Sequence, residues 1–222
     1  MDKKKAAAER AVELIEEGMT VGLGTGSTAN LAIEAIGRKV AEGLRIEGVA
    51  TSKGTEALAR KHGIRLVDLD EVEIVDMTID GADEVDPSMN LIKGMGGALL
   101  REKIVAFASA EEIIVVDDSK LVKTLGTKSP LPVEVLPFGH LRTKATIQSL
   151  GCTASLMGGE SPFITDNGNL VYECRFPRIE DPELLEAELH LIPGVVECGL
   201  FIDLATMIVI GGEKGVEVRE KD

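Results

Sequence analysis

The 222-residue chain has no tryptophan, one tyrosine and five phenylalanines, so aromatics make up only 3% of it. Proteins that hold single-stranded nucleic acid stack bases on aromatic platforms, and such platforms are missing here. Basic residues are also scarce: 24 Lys and Arg stand against 38 Asp and Glu, a formal net charge of −14. Duplex backbones and anionic lipids demand clustered Lys and Arg, so neither nucleic acid nor a membrane surface is an expected partner. No apolar run approaches the roughly 18 residues of a membrane span. The opening Met1-Asp2-Lys3-Lys4-Lys5 leads into an Ala/Glu-rich amphipathic segment, not a signal-peptide core. Cys152, Cys174 and Cys198 lie far apart with no CxxC pair, which reads as reduced packing residues in a cytoplasmic protein. His62, His140 and His190 are equally scattered, without an HExxH pattern, so no histidine metal site is expected.

What is present is an ordinary globular composition, 44% apolar and 28% charged. A chain of this length buries roughly 70% of its unfolded surface without a disulfide or metal staple. It can form one large domain or two small ones. If the ligand is an anion, an acidic chain must hold it locally, against its own field.

Helical and strand signals alternate through the first half. Residues 3–17 carry Ala7, Ala11, Leu14 and Ile15 at helical spacing, and Gly18 stops them. Residues 19–23 read as a strand, followed by a Gly/Ser/Thr loop and a helix through Leu31, Ile33 and Ile36. Further strands are expected at 46–50, 65–67, 74–79 and 113–116, with helices at 55–61 and 98–108. Short loops between alternating elements imply a mostly parallel, doubly wound sheet. The pattern changes after Lys128-Ser129-Pro130. Strands at 131–136, 152–157, 163–165, 170–176 and 195–201 flank helices at 141–150 and from Asp181-Pro182-Glu183. Asp166-Asn167-Gly168-Asn169 is a hairpin turn. The β-α-β-β-α-β order is that of a split βαβ, ferredoxin-like unit. Strands at 207–210 and 216–218 then rejoin the first sheet. The expected architecture is an α/β domain (1–128 plus 203–222) with a small α+β domain inserted at 129–202.

Three loops carry chemistry. Gly22-Leu23-Gly24-Thr25-Gly26-Ser27-Thr28 joins a strand to a helix, where free N–H groups, the helix dipole and two hydroxyls suit a phosphate with little need for lysine. A dinucleotide fingerprint needs Gly where Ser27 stands, and a P-loop needs Gly-Lys before its Ser/Thr. The loop therefore points to a small phosphate rather than NAD or ATP. Asp80-Gly81-Ala82-Asp83-Glu84-Val85-Asp86 follows an apolar strand, at the end where open α/β sheets gather ligands. Gly81 is at the wrong position for a calcium loop. Asp80 and Asp83 are the functional candidates, and Glu84 and Asp86 are expected at the surface. Lys93-Gly94-Met95-Gly96-Gly97 opens a helix and forms an anion-friendly nest, with Glu102 about one turn on. Taken singly, Lys93 and Glu102 read as surface charges. Together with the other two loops they read as a site.

At these three loops the sequence resembles the A-type ribose-5-phosphate isomerases. The matching strings are Gly22–Ala29 (GLGTGSTA), Asp80–Asp86 (DGADEVD) and Lys93–Lys103 in the pattern KGxGGAxxxEK. Asp118-Ser119-Lys120, Leu131-Pro132-Val133-Glu134-Val135, the Ile164–Asn169 string ITDNGN and Ile192-Pro193-Gly194-Val195-Val196 are similar to that family too, in order along nearly the whole chain. Met95 stands in a turn often richer in glycine, and Leu100 where a polar residue is expected. The resemblance implies a Rossmann-like domain with an inserted small domain, no metal or other cofactor, a sugar-phosphate substrate, and a homodimer or homotetramer. It implies substrate binding by Thr25, Gly26, Ser27, Thr28, Asp80, Gly81, Ala82, Asp83, Lys93, Gly94, Met95, Gly96 and Lys120. Lys4 is similar in position to an N-terminal lysine near the phosphate, with Lys3 and Lys5 competing for the register. Glu102 becomes the proton-transferring base, with Asp80, Asp83 and Lys93 assisting. Two other readings stay open at this stage: a CoA transferase acylated on Glu102, and a sugar-phosphate-sensing regulator that binds without turnover.

Overall fold

The alternating pattern becomes six helices and fourteen strands among the described residues, 2–221 of the computed structural model. In chain order they begin α1 (Lys3–Val12), β1 (Thr20–Leu23), α2 (Ser27–Ala41), β2 (Glu47–Ala50), α3 (Lys53–Lys61), β3 (Arg65–Leu66) and β4 (Val75–Asp80). Next come β5 (Glu84–Val85), β6 (Leu91–Ile92), α4 (Leu99–Phe107), β7 (Ser109–Asp117), β8 (Leu131–Val135), α5 (His140–Ser149) and β9 (Thr153–Leu156). The chain finishes with β10 (Leu170–Arg175), α6 (Pro182–His190), β11 (Val195–Cys198), β12 (Leu200–Phe201), β13 (Met207–Gly212) and β14 (Gly215–Glu220).

Two compact units result. The first holds residues up to Ala82, Arg101–Lys120 and residues from Asp203 on. Its seven-stranded sheet has the order β14-β13-β7-β4-β1-β2-β3, parallel throughout except for the final β13–β14 hairpin. Strands buried on both faces need continuous apolar runs, and β7 supplies Ile113, Ile114, Val115 and Val116. The alanine stripe Ala7, Ala8 and Ala11 lets α1 lie close against its neighbours, in a core with Ile33, Ile36, Ile79 and Val209. Connections leave β1 toward β2 and leave β4 toward β7, so the order reverses between β1 and β4. The crevice outside the carboxyl ends of those two strands is where such a fold accepts a ligand.

The second unit is Asp83–Leu100 with Leu121–Ile202. The elements β8-α5-β9-β10-α6-β11 build a four-stranded antiparallel sheet of order β11-β8-β10-β9. Asp181 caps α6 by accepting the Leu184 N–H at 3.0 Å, and Pro182 occupies the first turn. A second sheet, β12-β6-β5, shares the same apolar core through Ile92 and Leu200.

The boundary expected at residue 129 is therefore displaced. Segments 83–100 and 121–128 go with the second unit because β5 and β6 pair with β12, and because Glu84 ties them together. Glu84, expected at the surface, is fully buried; its carboxylate accepts the backbone N–H groups of Gly126, Lys128 and Ser129. Asp86 is half-buried and takes the N–H groups of Ser88 and Asn90. The first helix stops at Val12, although its apolar period runs on to the buried Ile15. The strand expected at 195–201 splits at Gly199 and serves two sheets. Residues 163–165 contribute a single bridge, Ile164 to Leu170, not a strand.

Candidate active site

In the first unit the glycine loop leaves β1 and enters α2 beside the end of β4. Gly24 is required by close approach: a Cβ there would lie 2.2 Å from Asp80 Oδ1 and 2.6 Å from Asp80 Cα. That contact brings Asp80 Oδ1 to the Thr25 N–H at 3.1 Å, while the Gly81 N–H donates to the same oxygen. Asp80 is 1% exposed. The N-cap of α2 is Gly26, and no side chain caps the helix, so its first-turn N–H groups are left to the loop's surroundings. Ser27 is exposed and Thr28 buried.

Of the three N-terminal lysines, one reaches the glycine loop. Lys4 Nζ donates to Ser27 Oγ at 3.1 Å, whereas Lys3 pairs with Asp118 at 2.9 Å and Lys5 faces Glu9. Asp117, at the end of β7, accepts the Ser119 N–H at 2.9 Å and feels the charges of both Lys4 and Lys120. Burial pushes its carboxyl up, but hydrogen bonds from Ser119 and the charges of Lys4 and Lys120 outweigh that and hold it below the ordinary value. Thr25 has a different surrounding. Its hydroxyl lies 2.8 Å from Thr51 Oγ1, 2.9 Å from Ser52 Oγ and 3.0 Å from Thr55 Oγ1. Thr55 in turn donates to the Gly24 carbonyl at 2.8 Å. This cluster braces the loop from the start of α3. Thr51, Ser52 and Thr55 lie outside the three candidate loops; their only mark in the sequence is Thr51-Ser52-Lys53-Gly54-Thr55, a second hydroxyl-rich loop after a strand.

Within the second unit, Asp83 and the turn after β6 are tied to each other. Asp83 N–H donates to the Ile92 carbonyl at 2.8 Å, and its Oδ2 accepts the Met95 N–H at 3.1 Å. The Gly97 N–H closes the turn onto the Gly94 carbonyl at 2.9 Å. Met95 and Gly96 are exposed at its tip, and Gly94 is buried. Lys93 is 1% exposed, with Nζ 5.3 Å from the centre of the Phe201 ring. Phe201 carried no sequence signal, because it lies more than a hundred residues further along the chain than Lys93.

Glu102 stands in the first turn of α4 and is 4% exposed. Leu99, Glu102, Val105 and Ala106 form one buried stripe at helical spacing, while Arg101 and Lys103 are half-buried and Ile104 is exposed. A carboxylate on the buried stripe of a helix is costly, since desolvating a charge takes several kcal/mol in order of magnitude, and it persists only where the fold gives it partners. The same logic holds for Asp80 and Lys93. For metal ligation, the described residues offer one cluster, His190, Glu197 and Cys198 in the second unit, with His190 Nε2 2.8 Å from Glu197 Oε1. The three loops take no part in it.

Comparison with known proteins points to one family. The family model described as "Ribose 5-phosphate isomerase A (phosphoriboisomerase A)" matches residues 47–215. A ribose-5-phosphate isomerase A of Bacillus mycoides is 51% identical over 98% of this chain and 99% of its own length. One of Parvibaculum lavamentivorans is 51% identical over 99% of this chain and 98% of its own. The structure of the Methanocaldococcus jannaschii ribose 5-phosphate isomerase A superposes with a TM-score of 0.94 at 42% identity, covering 99% of both chains. A D-ribose-5-phosphate isomerase in complex with phospho-erythronic acid gives a TM-score of 0.95 at 42% identity, covering 99% of this chain and 98% of that one. Among the described residues no helix is long and apolar enough to cross a membrane.

Proposed function

Because the chain belongs to the ribose 5-phosphate isomerase A family, we propose that it interconverts D-ribose 5-phosphate and D-ribulose 5-phosphate, a step of pentose phosphate metabolism, by moving a proton between C2 and C1 through an enediolate. The observation that carries this reading is selective burial: Asp80, Lys93 and Glu102 are 1%, 1% and 4% exposed, while Asp83, Asp86, Arg101 and Lys103 in the same strings only half-bury, and Glu84, the remaining buried charge there, is taken up by three backbone N–H groups.

The reaction needs a carboxylate that can reach both carbons, hydroxyl-proton handling, and donors for the oxyanion that develops on the carbonyl oxygen. Glu102 takes the proton from C2 and returns it to C1. Asp80, held by two backbone N–H groups, assists ring opening and hydroxyl-proton transfer. Lys93 and the N–H groups of Gly94 and Gly96 stabilise the enediolate, while the Met95 N–H holds Asp83. Asp83 orients sugar hydroxyls together with Gly81 and Ala82. The phosphate rests on Gly26, Ser27 and Thr28, with Lys4 and Lys120 supplying positive charge and Thr25 bracing the loop.

Removing a general base of this kind costs roughly 10²–10⁴ in rate. Ribose 5-phosphate deuterated at C2 should lose its label to water in the wild type, and Glu102→Gln should slow that exchange by this factor with the fold intact. Near-normal exchange in Glu102→Gln would overturn the assignment.

A further inference from the structure

We propose that Phe201 is a positioning residue for the reaction, holding the Lys93 ammonium in place through the face of its ring. This rests on the reading of Lys93 as an enediolate donor and deepens it. The argument starts from register. Strands β6 and β12 pair antiparallel, Ile92 opposite Leu200 and Leu91 opposite Phe201. One step further, the Lys93 N–H donates to the Gly199 carbonyl at 2.9 Å. Side chains alternate along a strand, so Lys93 lies on the face that carries Leu91 and Phe201, diagonal to the ring.

Directly across from Lys93 stands Gly199, where a Cβ would meet the Lys93 carbonyl oxygen at 2.2 Å and Pro132 Cδ at 2.9 Å. No side chain therefore flanks Lys93 from that position, and Phe201 is the next one along β12 on the same face. Its ring is 0% exposed and Lys93 only 1%, so neither group can swing into water. Nζ sits 5.3 Å from the ring centre, within the range at which the negative face of an aromatic attracts a cation. The attraction is strongest where the cation has lost its water. A lysine ammonium ends a flexible four-carbon stem with no planar fork to orient it, and burial alone leaves several rotamers open. The ring is a contact that narrows that choice. The apolar body of Phe201 also keeps water from the ammonium, which preserves its strength as a donor.

The test replaces Phe201 with 4-fluoro-, 3,4,5-trifluoro- and pentafluorophenylalanine, which keep the ring's shape while weakening and then reversing its face potential. Turnover of ribose 5-phosphate is followed alongside the ¹H–¹³C shifts of the Lys93 ε-methylene in lysine-labelled protein, assigned with Lys93→Arg. The expected result is a stepwise fall in kcat with fluorine content, reaching roughly tenfold, at nearly constant KM, together with a stepwise change in the Lys93 resonance. Phe201→Leu should abolish the ring-induced shift of that resonance. A Lys93 resonance indifferent to both series overturns the proposal. So does a loss of kcat unrelated to fluorine content and matched by lost stability, because that is a packing role. If the resonance follows fluorination but kcat does not, Phe201 does hold Lys93, and it is Lys93's part in the reaction that fails.

Discussion

Glu84 offers a sharp test of how the second unit is held together. Its carboxylate is buried, with Oε2 taking the Gly126 N–H at 2.7 Å and Oε1 taking the Lys128 N–H at 2.6 Å and the Ser129 N–H. Each hydrogen bond to a charged group contributes roughly 1.5–3 kcal/mol. Those three donors belong to residues that are half-buried or exposed, so water recovers part of the loss when the carboxylate goes. Glu84→Gln keeps one oxygen and orphans the fewest donors when its amide nitrogen faces Gly126, for a cost of about 2 kcal/mol. Glu84→Ala orphans all three and leaves a cavity, for about 4 kcal/mol. At about 2–4 °C per kcal/mol for a chain of this size, the midpoints should fall by roughly 4–8 °C and 8–16 °C respectively. The assay is built into the composition: with no tryptophan, intrinsic fluorescence comes from the single tyrosine, Tyr172, which is 1% exposed within the second unit. A Glu84→Ala midpoint unchanged from wild type would refute the reasoning. Equal damage from Gln and Ala would refute the count of orphaned donors.

Three further outcomes are expected. Lys4→Met should weaken competitive inhibition by inorganic phosphate and lower kcat/KM by roughly tenfold or more, while Lys3→Met and Lys5→Met, which remove exposed ion pairs, should stay within about a few-fold of wild type; equal effects from all three would sink the register. Gly24→Ala must displace Asp80, whose Cα the new methyl would approach at 2.6 Å, and misplacement of about 1 Å costs roughly 10²-fold in turnover. A fully active Gly24→Ala protein would contradict that close approach. The Asp117 carboxyl is held below its ordinary 3.8, so it adds stability above that value and loses it as pH falls through its folded-state pKa. Urea midpoints measured between about pH 5 and 3 should therefore fall less in Asp117→Asn than in wild type, and parallel curves would rule the contribution out.

The alternation of apolar runs and helical periods was enough to read the α/β class, because buried parallel strands and amphipathic helices leave patterns inside a window of ten residues or so. The return of 207–210 and 216–218 to the first sheet was legible for the same reason: β13 and β14 do close it. The pairs 84–85 and 91–92 were not legible, since a two-residue strand has no period. Missing them moved the unit boundary and left Glu84 at the surface in expectation. The first helix was read too long because Leu14 and Ile15 continue the apolar spacing after the backbone has turned at Glu13. The candidate loops themselves were visible as strings, since glycine, hydroxyl and carboxylate residues after a strand are an unusual composition for a simple turn.

The sequence by itself determined which chemical groups are on hand, that the chain is acidic and poor in aromatics, and that any anionic ligand has to be held locally, against the net charge. Tertiary structure decided which of those groups leave water. Lys4 rather than Lys3 or Lys5 reaches Ser27, Glu102 falls on the buried stripe of α4, and Lys93 meets a ring that only the pairing of β6 with β12 could bring to it. Composition is a sum over residues and is blind to position. The strength of a charge depends on its distance to neighbours and on the water left around it, and both are set only when strands far apart in the chain come into register.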